Sequence, residues 1–501
     1  MKRIKYFPVL LFFFILIIIY VTPAFAQGSP VWSPQQRIPG YESNTWPPIL
    51  IADQNRTVYA FSYQWLNKSA GNAVRAIVYN RLVRGQGWTP PVDIILSPLK
   101  NDARLLDAFL DQNGIVHIIF WGGDNTGANI YYSNAPVTEA GNANIWLSPI
   151  LVAENAQDPE NGAFYAEEQN NVDILFAGRS QGNGLFSTSS KDGGVTWSKP
   201  ILVSYTHNSD NLISGLKIFK STTGLIHVIW NEITIGGQGR GIYYSGKKIG
   251  DIKWSDPVRL AEAESGYGTN TPAIIEYHGA VLAFYNLGGI IWQRTYDSEK
   301  DWTSPVQMFT RHVGVNGSLS LVVDGNDELH MFFGQRITGS PDIHGMWHSI
   351  FNGAGWSGPE AVVSGPQVTD QEGDKAFDPF EARAVVSQGN VLLVTWRSDP
   401  GLMGNGVWYS EKVLDAPELP LAMPGTVLPT KQLNHYPTGS PLNLVPTPRP
   451  GSETAMDTPD SLTNSSESNI PTNALLIAIV PVFLLISMVI ILSFQAHHKR
   501  N

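Results

Sequence analysis

Five arginines and a set of aromatic residues stand at comparable points of a pattern that recurs along this chain, and together they could grip an acidic sugar. Arg104 and Arg383 come just before one apolar stretch of the pattern, and Arg179, Arg336 and Arg397 come at the end of the next. A guanidinium clamps a carboxylate or sulfate through two parallel hydrogen bonds. Trp65, Trp121, Trp230 and Trp396, with Tyr285, end the same stretches and could stack on sugar faces. Each has a plainer alternative. The arginines could pair with acids such as Asp399 and Glu381, and the rings could simply pack. Glu232, directly after Trp230-Asn231, Tyr285 and Asp399 are titratable groups near the same strand ends, and Asp370, Glu372, Asp374, Asp378 and Glu381 form an acid-rich segment.

The elements that must position these residues are read from a repeat. Tryptophan followed two or three residues later by proline begins at Trp32, Trp88, Trp146, Trp197, Trp254, Trp302 and Trp356, with spacings of 56, 58, 51, 57, 48 and 54. That period is too long for a helical solenoid unit and fits a four-stranded propeller blade with its loops. Within each period an Asp/Asn/Gly turn precedes an apolar strand, as in Asp111-Gln112-Asn113-Gly114 before Val116 to Phe120. Such turns join antiparallel strands. An aliphatic-aromatic strand follows, as in Ile130-Tyr131-Tyr132-Ser133 and Ile242-Tyr243-Tyr244-Ser245. Each period therefore holds inner strands a and b, strand c, and an outer strand d carrying the proline, which an unpaired edge tolerates.

Seven c strands can be counted, the last at residues 406–410, and no tryptophan-proline motif follows it. The spare copy is N-terminal, Trp32-Ser33-Pro34, so residues 31–38 are expected to supply the last outer strand. The fold expected is all-β, a seven-bladed β-propeller of four-stranded antiparallel blades whose N-terminal strand closes the last blade, with a six-bladed ring as the alternative.

Composition and termini set the remaining bounds. Roughly 385 residues between the termini are enough for a sizeable core. The chain has no cysteine, which excludes disulfides and thiolate metal sites, and its net charge of -10 argues against nucleic acid as a partner. Lys2, Arg3 and Lys5 precede an apolar run and Ala24-Phe25-Ala26, the pattern of a signal peptide over 1–26. Ala474 to Phe494 is uncharged and precedes His497-His498-Lys499-Arg500, the pattern of a membrane span over 473–495 with a basic tail at 496–501. Between them lie a propeller over 27–415 and a proline-, serine- and threonine-rich stalk over 416–472. These features predict a single-pass cell-membrane protein with its propeller outside.

One segment resembles a known family. Ser190-Lys191-Asp192-Gly193-Gly194-Val195-Thr196-Trp197 fits S-x-D-x-G-x-x-W and is similar to the Asp-box of the sialidase superfamily, between strands c and d of the third blade. The resemblance implies a structural role: Ser190 and Asp192 tie down the hairpin, Gly194 permits the turn and Trp197 packs beneath. Tyr296 to Trp302 and Asn352 to Trp356 are worn versions. Phe176-Ala177-Gly178-Arg179 also resembles the strand b ending common in sialidases, and Arg37-Ile38-Pro39 resembles part of their F-R-I-P signature, with Gln36 in place of the aromatic. It further implies an arginine triad for a substrate carboxylate, and a tyrosine nucleophile partnered by a glutamate with an aspartate as acid/base, for which Tyr285, Glu232 and Asp399 are the candidates and the 370–381 segment a further source of an acid. The family's enzymes have six blades where seven are counted here.

His117, His227 and His330 share one position of strand b, which favours a repeated packing or hydrogen-bond role over a metal site. No cofactor or metal is expected. The first reading is a membrane-anchored extracellular propeller that binds glycans or other surface ligands. The alternatives are an exo-α-sialidase or related glycoside hydrolase, and a structural or adhesion protein.

Overall fold

The computed structural model describes residues 31–420, apart from 42–44, 54, 67–72, 125, 159–160, 167–170, 181, 298–300, 315–316, 340–341, 367–377 and 398–405. All described residues fall in one compact unit, Met1–Thr426. Their regular structure is strand, with two three-residue 3-10 helices at Val137–Glu139 and Ala143–Ile145.

Local turn chemistry explains why the strands pair as they do. Asp111 Oδ1 accepts hydrogen bonds from the backbone N–H groups of Asn113 and Ile115 at 2.9 and 2.8 Å. Asp53 does the same for Asn55 and Thr57, and Asp324 for Asn326 and Glu328. Gly114 completes its turn with φ of +76°, a conformation in which a side chain would be strained. These side-chain-to-backbone bonds fix where these three inner hairpins reverse.

The resulting sheets are antiparallel meanders. Leu212–Lys220, Leu225–Ile233, Gly239–Lys248 and Val258–Glu262 form one such sheet in chain order, and Gly162–Ala166, Val172–Gly178, Gly184–Ser190 and Ile201–Tyr205 form another. A nine-stranded sheet contains two meanders joined by a single parallel residue pair, Arg75 with Asp102. The core lies between sheets. Leu175, Ala177 and Leu185 of one sheet pack on Ile213, Val228 and Trp230 of the next, and Phe332 and Met346 pack on Val394 and Trp396. A strand covered on both faces reads as a continuous apolar run, which accounts for Leu225-Ile226-His227-Val228-Ile229-Trp230. All-β meanders packed face to face are the arrangement of β-propeller blades.

The first strands of the meanders touch in succession. Ile49–Ala52 contacts Asp102–Leu110, which contacts Gly162–Ala166, then Leu212–Lys220, Thr269–Tyr277, Ser320–Val323 and Phe380–Ser387, and the last contacts Ile49–Ala52 again. The N-terminal strand Gln36–Arg37 pairs antiparallel with Val407–Val413, placing Gln36 opposite Tyr409 and Arg37 opposite Trp408. Ser33 extends the contact, its N–H donating to the Glu411 carbonyl at 2.8 Å.

The expectation of a single-pass cell-membrane protein is corrected. A span takes about 20 apolar residues in one helix, because the bilayer interior offers backbone groups no other hydrogen-bond partner. Among the described residues no helix is long and apolar enough to cross a membrane. The segments read as leader, span and tail, 1–26, 473–495 and 496–501, lie outside the described residues, as does the stalk beyond residue 420.

Candidate functional site

A concavity lies between the loop that precedes Leu212–Lys220 and the end of Leu225–Ile233, and the buried Glu232 stands behind its His207 wall. Glu232 is next to last in the strand Leu225–Ile233, opposite Ile213 in register, and is fully buried. A buried carboxylate is costly unless its lone pairs are taken up. Here the chain folds back after Tyr205 to supply the partners. The backbone N–H of His207 donates to both carboxylate oxygens at 3.2 and 3.1 Å, and Asn211 Nδ2 donates at 3.3 Å. Nδ1 of the same histidine lies 2.9 Å from Oε1. Because a carboxylate accepts, Nδ1 carries the proton, and in the neutral ring Nε2 is left as an acceptor.

The ring is held from its other side by stacking. His207 lies on Tyr243 with centroids 4.2 Å apart and planes 15° from parallel, and Tyr243 lies on Trp230 at 5.8 Å and 26°. Trp230 is enclosed, whereas the His207 side chain is 52% exposed, so the stack runs from the core to the surface. Burial and the Glu232 charge push the Tyr243 phenol up to about 12, which keeps it protonated at neutral pH. His207 and Tyr243 line a cavity of about 520 Å³ together with Arg240, Asn208, Glu262 and Glu264. The arrangement offers a polarised imidazole nitrogen, an aromatic wall and charges of both signs, the equipment for gripping a polyhydroxylated ligand.

The arginines read from sequence divide between separate places. Arg104 and Arg179 meet at Asp158: Arg104 Nη1 is 3.2 Å from its Oδ1 and Arg179 Nη2 donates to its carbonyl at 3.0 Å. Arg104 also clasps Asp102 Oδ2 through Nε and Nη2 at 2.9 and 2.8 Å, and Arg75 reaches the same carboxylate at 3.1 Å. Trp121 lies under Arg104 at 4.4 Å and Trp65 under Arg75 at 4.3 Å. Two guanidiniums thus face the Asp102 and Asp158 carboxylates, with that of Arg179 on the Asp158 backbone carbonyl beside them. Arg336 donates to the Tyr267 hydroxyl at 2.9 Å and pairs with Asp342. Arg397 is buried over Trp46 at 4.6 Å. Arg383 sits 3.7 Å from Glu381 and within electrostatic reach of Asp107 and Lys217, whose amine burial and Arg383 push down to about 8.

Of the predicted aromatics, Trp121, Trp230 and Trp396 are enclosed by protein, and Trp65 is half-buried. Tyr285 is buried, donates to the Leu260 carbonyl at 3.3 Å, and has its phenol pushed up by burial. Glu232 and Tyr285 therefore have separate partners, and the tyrosine beside Glu232 is Tyr243. Asp399 lies outside the described residues. Sequence reasoning missed His207 and Tyr243. His207 opens a run of five polar residues, His207 to Asn211, directly before an inner strand, and that run was the available signal. Tyr243 was hidden in a repeated strand pattern that reads as packing.

The Asp-box segment is a knotted turn. Ser190 Oγ donates to Asp192 Oδ1 at 2.7 Å and accepts from Gly194 N–H at 2.8 Å, while Asp192 accepts from the Thr196 N–H and hydroxyl at 2.9 and 2.6 Å. Trp197 Nε1 donates to the Gly194 carbonyl at 3.0 Å and its ring meets Tyr132 edge-on at 5.4 Å. The turn is thereby pinned to the preceding sheet, away from the cavity.

No protein-family model and no curated protein matches this chain. Solved structures similar to it include a polysaccharide lyase of family PL25, an ulvan lyase, at 11% identity over 77% of this chain and 97% of that one, with a TM-score of 0.49. An α-L-arabinanase of Penicillium chrysogenum is similar at 11% identity over 77% and 99%, with a TM-score of 0.44. The NanB sialidase of Streptococcus pneumoniae is similar at 9% identity over 76% and 71%, with a TM-score of 0.40.

Proposed function

We propose that this chain is a glycan-recognising β-propeller and that a sugar is held in the cavity walled by His207 and Tyr243. One observation carries the reading: a histidine whose proton is fixed by a buried carboxylate and whose ring is backed by two stacked aromatics, presented at a polar concavity. A polar group fixed in this way binds hydroxyls at little entropic cost, because its rotamer is already paid for in folding. The Arg75, Arg104 and Arg179 group is the element of this proposal that reads an acidic substituent, since Asp102 and the Asp158 residue gather three guanidiniums there.

The scaffold belongs to the proposal as well, as a closed ring of seven blades over residues 27–415. The succession of inner-strand contacts that returns to Ile49–Ala52 supports it. So does the mutual electrostatic influence of Asp107, Lys217 and Arg383, which come from three inner strands far apart in the chain and so face one central channel.

Glycoside cleavage is the second reading, favoured by His207 Nε2 standing as a base beside a protonated Tyr243 phenol. One experiment separates the two. The purified full chain is screened on a glycan array and against aryl glycosides that include a fluorogenic sialoside, with His207→Ala in parallel. Binding without release makes it a lectin-like protein, release abolished in the variant makes it an enzyme, and neither binding nor release overturns the proposal.

A further inference from the structure

At the opposite end of the strands from the His207 cavity, the hairpin joining Ser320–Val323 to Leu329–Ile337 gathers Asp324, Glu328 and His330. Each offers one ligand atom, and the three atoms lie within 4.8 Å of one another. His330 Nε2 and Asp324 Oδ2 are 3.4 Å apart, both side chains are buried, and neither atom makes a hydrogen bond among the described residues. An orphaned pair of buried polar atoms needs an explanation.

Counting protons supplies one. Glu360 accepts from Trp32 Nε1 at 3.1 Å and from Lys412 Nζ at 2.5 Å, and its Oε1 lies 2.8 Å from His348 Nδ1. His348 and Lys412 hold Glu360 down to about 2, so it accepts, and His348 Nδ1 carries the proton. In the neutral ring His348 Nε2 is then bare and accepts from His330 Nδ1, 2.8 Å away. That leaves His330 Nε2 bare as well, facing a carboxylate whose other oxygen already accepts two backbone N–H groups at 2.9 Å. Two lone pairs meet in a buried gap, which a cation would satisfy.

The sister hairpins show why this one differs. His117 Nε2 faces Asp111 at 3.5 Å, yet its Nδ1 meets the Tyr132 hydroxyl at 2.6 Å. That hydroxyl also lies 3.0 Å from the Gly193 carbonyl, and its one proton can go to either acceptor, so that chain is able to turn around where one ended by a carboxylate is not. Ile115 also stands where Glu328 does, and in the third case Ser221 replaces the aspartate before His227. Only at Asp324 do a chain ended by carboxylates and a third ligand coincide among these hairpins.

We propose that Asp324, Glu328 and His330 form a binding site for a divalent transition metal of the zinc class, with His348 and Glu360 fixing the ligand tautomer. Metal bonds of about 2.0–2.2 Å to nitrogen and oxygen place neighbouring ligand atoms about as far apart as Nε2 and Oδ2 are here. A histidine whose second nitrogen donates into a hydrogen-bonded chain is the usual support of such a ligand. A cavity of about 390 Å³ lined by Asp324, Asp327, Asp53 and Gln388 gives the ion a way in.

The test is calorimetric titration of the chelator-treated full chain with Zn2+, together with thermal melting and the visible spectrum of the Co2+-loaded protein. The site predicts one zinc bound per chain, a raised Tm, and cobalt d–d bands. Glu328→Gln, half-exposed, weakens zinc about 10-fold or more while the metal-free Tm stays put. Glu360→Gln touches no ligand but lets the histidine chain reverse, and it too weakens zinc about 10-fold. No zinc binding by the wild type, or binding that both variants retain in full, overturns the site.

Discussion

The buried carboxylate of Glu232 takes both the backbone N–H and the ring nitrogen of His207, so one side chain fixes where the loop sits and which way its imidazole points. Loop order and the orientation of the His207 ring are thus coupled through a single residue. An apolar or amide replacement at 232 disturbs both.

Glu232→Gln is expected to destabilise the fold by about 2 kcal/mol, the typical loss for hydrogen bonds to a charged acceptor, because the amide presents N–H toward the His207 donors. Urea melts measure it. An unchanged midpoint would show that the loop is held by something else.

At the Asp-box, Gly194 has φ of +92° and a Cβ there would lie 2.1 Å from Tyr132 Cε1. Gly194→Ala is expected to cost about 3 kcal/mol from backbone strain and overpacking combined. Asp192→Ala, at an exposed position, is expected to cost about 1 kcal/mol. The reverse order in chemical denaturation would contradict the view that the turn is pinned chiefly by its packing on Tyr132.

Trp32 packs edge-on against His348 at 5.4 Å and Phe332 at 5.8 Å. Trp32→Ala should cost about 2 kcal/mol, less than a fully buried tryptophan because its ring is only half-buried. Deleting residues 31–38 should lower the melting temperature further by removing the outer strand. Equal melts for the deletion and the wild type would mean that the N-terminal strand does not hold the last sheet.

Burial lowers the pKa of His227 and of His312 from 6.5 to about 4. The unfolded chain takes up protons first as pH falls, so stability is full above pH 6.5 and declines from there toward pH 4. The phenols of Tyr132 and Tyr243, raised to about 12, act at the other limit: the unfolded chain loses protons first, and stability declines from pH 10 toward pH 12. His227→Gln should flatten the acid limb measured by thermal melts across pH, and an acid limb of unchanged slope would count against this assignment.

Much of the architecture was legible because its signals are local. Trp-Pro spacing set the period, Asp-turns such as Asp111 to Gly114 set the hairpins, and the spare Trp32-Ser33-Pro34 pointed to the strand that pairs with Val407–Val413. The site was legible only in pieces. Glu232 was placed by its position at a strand end, but its partner His207 comes from the linker that enters the same sheet ahead of Leu212–Lys220, and no local pattern encodes that contact. Trp230 was open to two readings, stacking on a sugar or packing, and Tyr243 and His207 stack outside it and cover it. Whether a strand-end aromatic meets solvent depends on what the next loop does.

The most direct test of the account is a glycan array probed with the wild-type full chain and with His207→Ala, both checked by melting. The account predicts that the wild type binds a defined group of glycans and that the variant, equally folded, loses them by at least about 10-fold, the cost of one hydrogen bond to a charged or polarised group. No binding by the wild type, or binding that His207→Ala leaves intact, would contradict it.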